Sequence, residues 1–274
     1  MIIDAHFHCW QLARGDYGWL TPTLGPIYRD VAIADWRTQA ARCGVSGGVL
    51  VQAAPTEAET DFLLDQAAGE AAVLGVVGWI DLLAADAPRR IARLAARPKI
   101  KALRPMLQDL PDPEWILQPA VDPALRAMVD HGLAFDALVR PAQLAVVLQL
   151  CRRHPDLRVV IDHAGKPDIA ATAWQPWADD LARLADSTGA VCKLSGLLTE
   201  AGPAPPPAAA RRWARQVLAC FGVQRVLWGS DWPVLERAAS YGAWWAETQA
   251  MLAALDPAER CAVLGGTAQR VYRL

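Results

Sequence analysis

The sequence predicts a (β/α)₈ barrel, and three observations lead to this fold class. The chain has 274 residues, close to the roughly 250 that such a barrel uses. Eight short runs rich in Val, Ile and Leu alternate with longer amphipathic segments. No low-complexity linker divides the chain, so we expect one domain over residues 1–274.

The eight apolar runs read as strands. They are hydrophobic almost throughout, as expected of parallel strands that are buried on both faces. In chain order they cover residues 2–7, 47–52, 73–80, 100–104, 133–138, 159–163, 190–194 and 225–229.

Helical patterns lie between these runs, and several carry end signals. Thr56 with Glu59 three residues later forms a capping box, and Asp122 followed by Pro123 suits a helix start. Eight strands alternating with helices favour a barrel over a doubly wound sheet. The Pro-rich stretch 202–207 then becomes a loop on the catalytic face, after strand 7. The predicted helices cover residues 34–42, 56–70, 86–97, 122–131, 141–154, 174–187, 207–221, 241–255 and 257–264.

Composition excludes several classes of partner. With 27 basic and 29 acidic side chains the net charge is −2, which gives no reason to expect nucleic acid or an anionic membrane. The N-terminus does not read as a signal peptide, and no apolar run reaches the 18 or so residues of a membrane span. The six Cys lack a CxxC pair and read as reduced thiols. We therefore expect a soluble, cytoplasmic protein, either a monomer or a homodimer.

Three of the five His and one Asp stand at predicted strand ends. His6 and His8 lie two apart on strand 1, so both rings point to the same side. His163 ends strand 6, and Asp231 follows strand 8. Because strand 8 meets strand 1 in a closed barrel, Asp231 should lie beside the two imidazoles. We predict that these four residues form the catalytic centre or the ligands of a metal ion.

Other residues are candidates for substrate binding. Arg104 ends strand 4, where a guanidinium suits a carboxylate or several sugar oxygens. Lys193 on strand 7 needs a partner inside an apolar strand, so it either reaches the site or bridges to an acid such as Asp162. Among 12 Trp, Trp10 and Trp232 follow strand ends and could pack against the C–H faces of a sugar.

Four motifs stand out along the chain: His6-Phe7-His8, Asp162-His163-Ala164-Gly165-Lys166-Pro167, Lys193-Leu194-Ser195-Gly196 and Gly229-Ser230-Asp231-Trp232-Pro233. In their order and spacing they resemble the "amidohydrolase 2" branch of the amidohydrolase superfamily. Arg104 and two further segments, 108–112 and 135–138, narrow the resemblance to its sugar-lactonase group, which includes fuconolactonases, rhamnonolactonases and pyrone-dicarboxylate lactonases. The segment 266–272 resembles the C-terminal motif that is usual in the group, with Thr267 at a position where Asn is common.

This resemblance implies a distorted barrel with His6, His8, His163 and Asp231 at the reaction centre or around a metal. Strand 4 has Arg104 at its tip in place of a carboxylated Lys or Glu, and strand 5 ends without His. A bridged pair of metals is therefore not expected. At most one divalent ion, zinc or manganese, should bind, and some lactonases of the group work without one.

The favoured function is hydrolysis of a small lactone, such as an aldono-1,5- or 1,4-lactone. Asp231 would take a proton from water, the three His would stabilise the oxyanion directly or through one metal, and Arg104 and Lys193 would hold the substrate. Two alternatives stay open. A metal-dependent decarboxylase uses the same four residues with a tightly bound metal, and a catalytically silent barrel would only bind sugars.

Overall fold

The computed structural model describes residues 1–274, apart from the side chain of Pro207. Eight parallel strands form one sheet in the order β1 to β8, which confirms the predicted (β/α)₈ barrel. Each strand lies within one or two residues of its predicted limits. The strands are β1 (Ile3–Phe7), β2 (Gly47–Val51), β3 (Val73–Gly78), β4 (Ile100–Leu103), β5 (Ala134–Ala137), β6 (Val159–Ile161), β7 (Val191–Leu194) and β8 (Val226–Trp228).

Helices pack around the sheet and connect successive strands. The predicted capping box at Thr56 is present in part. The Thr56 hydroxyl accepts a hydrogen bond from Glu59 N at 3.1 Å, whereas the Glu59 carboxylate accepts from Ala53 N and Ala54 N. The helices are α1 (Ile33–Arg42), α2 (Glu57–Ala68), α3 (Ala87–Ala95), α4 (Asp122–Asp130), α5 (Leu144–Arg153), α6 (Trp177–Ser187), α7 (Leu197–Glu200), α8 (Arg211–Phe221), α9 (Tyr241–Met251), α10 (Pro257–Cys261) and α11 (Thr267–Tyr272).

One prediction about the helices was wrong, and one helix was missed. The last helical stretch does not stop at Leu264, because a π-helical segment, Ala262–Gly266, carries the chain from α10 into α11. The short helix α7 was not predicted and lies in the connection after β7. Tyr272 at the end of α11 is buried among inward-facing strand residues such as Ala134 and Val160, so the chain end closes the bottom of the barrel.

The barrel closes between β8 and β1 through residues just beyond β8. Asp231 N donates to His6 O, and His8 N donates to Trp232 O, each at 2.8 Å. A parallel bridge joins Phe7 and Trp232. The seam therefore places Asp231 beside the HxH pair, as the closed-barrel argument predicted. Among the described residues, no helix has the length and hydropathy needed to cross a bilayer.

Candidate active site

Four side chains meet at the C-terminal end of the barrel, around one oxygen of Asp231. Asp231 Oδ1 lies 3.3 Å from His8 Nε2, 3.6 Å from His6 Nε2 and 3.8 Å from His163 Nε2. His6 Nε2 and His8 Nε2 are 3.2 Å apart. The structure thus brings together all four residues that the sequence proposed as the centre.

An irregularity in β1 sets the direction of the two strand-1 imidazoles. The pairing of β1 with β2 shifts register between Asp4 and Phe7. Both Asp4 and Phe7 contact Trp36 of α1 on the outer face of the sheet. His6 and His8 face the other way, into the barrel mouth, and share one side as their spacing of two predicts.

The other two members occupy an unusual backbone conformation. His163 has φ 51° and Asp231 has φ 58°, the left-handed region that few non-glycine residues adopt. Such conformations cost roughly 1–3 kcal/mol each and cluster at functional sites. Here they turn the two side chains toward the strand-1 imidazoles directly after β6 and β8.

Hydrogen bonds behind the rings hold two of the imidazoles in place. His8 Nδ1 lies 2.7 Å from Val51 O, and because a carbonyl only accepts, His8 carries its proton on Nδ1. The other ring nitrogen, Nε2, faces Asp231 and His6. His163 Nδ1 lies 2.9 Å from the hydroxyl of Ser195, which can donate or accept.

A buried charge network lies beneath His6. Lys193 Nζ is 2.5 Å from Asp136 Oδ2, 2.8 Å from Asp162 Oδ1 and 3.1 Å from His6 Nδ1. Arg104 Nη1 donates to Asp162 Oδ2 at 3.1 Å. Of the two roles predicted for Lys193, the structure favours the bridge to an acid, because the buried ammonium already contacts two carboxylates and does not line the cavity described below.

Burial and neighbouring charges set the protonation of the centre. Burial alone would raise the pKa of Asp231, but the facing His163, His8 and His6 hold it below its usual range. Burial lowers the pKa of His163 to about 4 and that of His6 well below its usual range. At neutral pH the centre therefore holds an ionised carboxylate with neutral His6 and His163.

A cavity of about 310 Å³ opens onto the centre, and His8, His163 and Asp231 line it. Four cationic side chains line its wall. Besides Asp231, one further carboxylate lines it, that of Asp109. Such a wall suits a substrate rich in oxygen atoms, or one that develops negative charge. The cationic side chains are Arg104, Arg140, Lys166 and Arg237.

The structure does not bring Trp10 or Trp232 to this cavity, contrary to the predicted substrate contacts. Both indoles are almost fully buried. Trp10 Nε1 donates to Arg29 O and Trp232 Nε1 donates to Glu236 Oε1, each at 2.8 Å. Trp19 lines the cavity instead and is 37% exposed. Trp19 could not be predicted as a cavity residue, because it lies in the long β1–α1 connection, far from any strand end.

Asp4 is a site residue of another kind that sequence reasoning missed. Its carboxylate is completely buried at the β1–β8 seam. It accepts hydrogen bonds from Ser230 N at 2.8 Å, Ser230 Oγ at 2.6 Å, Trp36 Nε1 at 2.9 Å, Tyr241 OH at 3.0 Å and His6 N at 3.2 Å. An acid two residues before the HxH pair was the available signal. Asp4 ties the segment before Asp231 to the strand that carries His6.

Gly196 is required for the position of His163, and its replacement gives a testable prediction. Gly196 has φ +68°, and a Cβ there would lie 2.8 Å from His163 Cγ and Nδ1. We expect Gly196→Ala to displace the ring and to lower kcat/KM by about 10²-fold, since displacements near 1 Å can cost that much. Steady-state kinetics measure the loss. Gly242→Ala is the matched control, because a Cβ at Gly242 meets nothing within 4 Å; equal activity of the two variants would contradict the prediction.

The donor set can accommodate one divalent ion. One ligand atom from each of His6, His163 and Asp231 lies within 4.8 Å of the others, and His8 Nε2 lies beside them. Nitrogen and carboxylate ligands of this number suit zinc. Opposing this, Arg104 Nη1 is 3.4 Å from His6 Nε2, so a cation already lies against the pocket.

The fold and the site define a barrel enzyme with an imidazole–carboxylate centre at its C-terminal face. The sequence profile of one family, described as "Amidohydrolase", matches residues 3–274, and the chain therefore belongs to this family. A relative from Burkholderia ambifaria named "L-fucono-1,5-lactonase" is 47% identical, over 99% of this chain and 95% of its own. Two crystal structures of an amidohydrolase from Burkholderia multivorans are similar, each covering 100% of this chain and 99% of theirs. One has bound HEPES (34% identity, TM-score 0.95) and the other bound zinc (33%, 0.93).

Proposed function

We propose that this enzyme hydrolyses a sugar lactone, and that L-fucono-1,5-lactone is the substrate class to test first. Support for the substrate comes from the relative of that name, which is similar over nearly the whole of both chains. The cationic cavity supports it too, because opening a lactone creates an oxyanion and then a carboxylate inside that wall.

The chemistry rests on one observation, the position of the Asp231 carboxylate at the floor of the cavity, with His8 Nε2 at 3.3 Å from Oδ1. A water molecule in contact with this carboxylate can give it a proton while its oxygen attacks the lactone carbonyl. Asp231 keeps the negative charge it needs for this role because the imidazoles hold its pKa low. The same property makes it a weak base, so it needs an electrophile that is already reactive.

Proton balance then completes the reaction. The new C–O bond gives a tetrahedral oxyanion, and its collapse breaks the ring C–O bond. Protonated Asp231 returns its proton to the departing ring oxygen, which becomes a hydroxyl group. The product is a hydroxy acid that ionises at neutral pH, so each turnover releases one proton.

Groups around the floor stabilise the oxyanion and hold the substrate. His163 can donate from Nε2 when Ser195 donates to its Nδ1, and Arg104 contributes a guanidinium at the cavity wall. Each well-placed donor is worth about 10²–10³ in rate, and general-base assistance about 10²–10⁴. Together these effects are adequate for a cyclic ester and small for an unactivated amide.

A metal ion is an addition that the proposed reaction does not require. When bound, zinc or manganese would be held by His6, His8, His163 and Asp231, and it would polarise a carbonyl or lower the pKa of water. The decarboxylase alternative has less support, because it needs a tightly bound metal where Arg104 and Lys193 direct two cations at His6. The silent sugar-binding alternative has less support, because a relative that is similar over 99% of this chain bears an enzyme's name.

A substrate panel tests the proposal. Acid release is followed with a pH indicator on L-fucono-1,5-lactone, other 1,5- and 1,4-aldonolactones and a pyrone carboxylate, with the spontaneous rate subtracted. We expect rapid opening of one or more sugar lactones. Acid release from none of them, together with carbon dioxide from an aromatic carboxylate, would contradict the proposal and favour the decarboxylase.

A further inference from the structure

We propose that Glu59 is a positioning residue of the active site. It fixes two successive peptide groups at the end of β2, and the carbonyl oxygens of these groups hold Arg104 and Trp19 in the cavity wall. The contacts follow from geometry alone, whereas their consequence for turnover rests on the proposed function.

The Glu59 carboxyl group is bound by the backbone that precedes its own helix. Glu59 lies in the first turn of α2, and its side chain is completely buried. Oε1 accepts a hydrogen bond from Ala53 N at 2.9 Å, and Oε2 accepts from Ala54 N at 2.7 Å. A buried carboxyl group is costly unless it is hydrogen-bonded, and these two N–H groups supply the bonds. Glu59 thus fastens the connection between β2 and α2.

Helix capping does not account for these contacts. In a capping box, the acid at the third helical position accepts from the N–H of the N-cap residue. The N-cap residue of α2 is Thr56, and Thr56 N donates to Ala54 O at 2.9 Å instead. The Glu59 side chain extends past the helix start, to residues five and six positions earlier in the chain. Its role is therefore in the β2–α2 connection.

Peptide planarity carries the effect of Glu59 to two carbonyl oxygens. In a trans peptide group, the C=O of one residue and the N–H of the next lie in one rigid plane and point in opposite directions. Gln52 O shares such a plane with Ala53 N, and Ala53 O shares one with Ala54 N. Because Glu59 accepts from both N–H groups, it sets the direction of both carbonyl oxygens.

These two carbonyl oxygens hold residues of the cavity wall. Gln52 O accepts a hydrogen bond from Arg104 Nη2, and Gln52 Nε2 donates to Arg104 O at 2.8 Å. Ala53 O accepts from Trp19 Nε1 at 2.7 Å. Arg104 and Trp19 both line the catalytic cavity. Each peptide group is thus bound by Glu59 on its N–H side and by a cavity residue on its carbonyl side.

Removing the carboxyl group should therefore disturb the cavity wall. In Glu59→Ala we expect kcat/KM for lactone opening to fall by about 10²-fold, since displacements near 1 Å can cost that much. The larger part of the loss should be in KM, because Arg104 and Trp19 belong to the wall that holds the substrate. Glu59→Gln keeps one acceptor oxygen and should recover part of the loss.

Glu247→Ala is the matched control for these kinetics. Glu247 is also a buried glutamate, but it lies on α9, where it pairs with Arg211. Both alanine variants remove a buried carboxyl group, so both should melt at a lower temperature than the wild type. We expect Glu247→Ala to keep the wild-type kcat and KM at a temperature where it is folded.

A second measurement needs no substrate. The indole N–H of Trp19 gives a ¹H–¹⁵N signal, which Trp19→Phe identifies by its loss. Release of this N–H from Ala53 O should move the proton signal upfield and speed its exchange with solvent. We expect both changes in Glu59→Ala, a smaller change in Glu59→Gln and neither change in Glu247→Ala.

The wild-type protein decides the question even where a variant fails to fold, because the backbone N–H groups of Ala53 and Ala54 should exchange slowly in it. Rapid exchange of both overturns the proposal, as does an unchanged Trp19 signal in a folded Glu59→Ala protein. Equal losses of kcat/KM in Glu59→Ala and Glu247→Ala would also overturn it. A protein that opens no lactone, yet whose Trp19 signal moves in Glu59→Ala, would refute the proposed function and leave this inference standing.

Discussion

Replacing Asp231 by Asn lowers kcat for lactone opening by about 10²–10⁴, the usual contribution of a general base. The amide cannot take a proton from water or return one to the ring oxygen. The fold should persist, because Asn is among the few residues that tolerate the left-handed conformation of position 231. Initial rates at saturating lactone measure the loss, and thermal unfolding checks the fold.

Asp109→Asn is the control for this result. Asp109 is the other carboxylate that lines the cavity, yet it makes no contact with the three imidazoles. Its replacement should change KM more than kcat. An Asp231→Asn protein with nearly full kcat would remove the carboxylate from the mechanism and leave the imidazoles and the cationic wall to explain the reaction.

The second large effect is on stability, at Asp4. Alanine at this position leaves five buried donors without their acceptor, and each unsatisfied buried group costs about 1–3 kcal/mol. Allowing for relaxation, we expect the free energy of unfolding to fall by about 4 kcal/mol. The melting temperature should then fall by roughly 10 °C. Denaturant and thermal unfolding measure the two quantities.

Two variants bracket this prediction. Asp4→Asn keeps one carboxamide oxygen as an acceptor and should lose less stability than Asp4→Ala. Asp61→Ala removes an exposed carboxylate that pairs with Arg97 on the surface, and such pairs contribute about 0–1 kcal/mol. If Asp4→Ala were as stable as Asp61→Ala, the seam would not depend on this carboxylate.

The sequence predicted the fold and the four residues of the centre more accurately than the residues that line the cavity. The strands are continuous apolar runs, so their order and limits could be predicted from the sequence. Closure of the barrel then places Asp231 beside His6 and His8. The register shift in β1 and the left-handed His163 could not be foreseen, because both depend on how neighbouring strands pack.

Loop conformation explains the errors around the cavity. Trp10 and Trp232 follow strand ends, but each indole N–H finds an acceptor behind the cavity wall, and burial of the ring then excludes the substrate. Trp19 reaches the cavity from the β1–α1 connection, whose conformation cannot be predicted from a periodic sequence pattern. For Lys193 the sequence left two roles open, and only the distances to Asp136 and Asp162 favour the structural one.

The most direct test of the account is the rate at which metal-depleted protein opens L-fucono-1,5-lactone. The protein is treated with chelator, its residual zinc and manganese are quantified, and acid release is compared with that of Asp231→Asn. We predict that activity survives at metal contents far below one ion per chain and is lost with Asp231. Activity that disappears with the chelator and returns in proportion to added zinc or manganese would contradict the account, and the four residues would then act first as metal ligands.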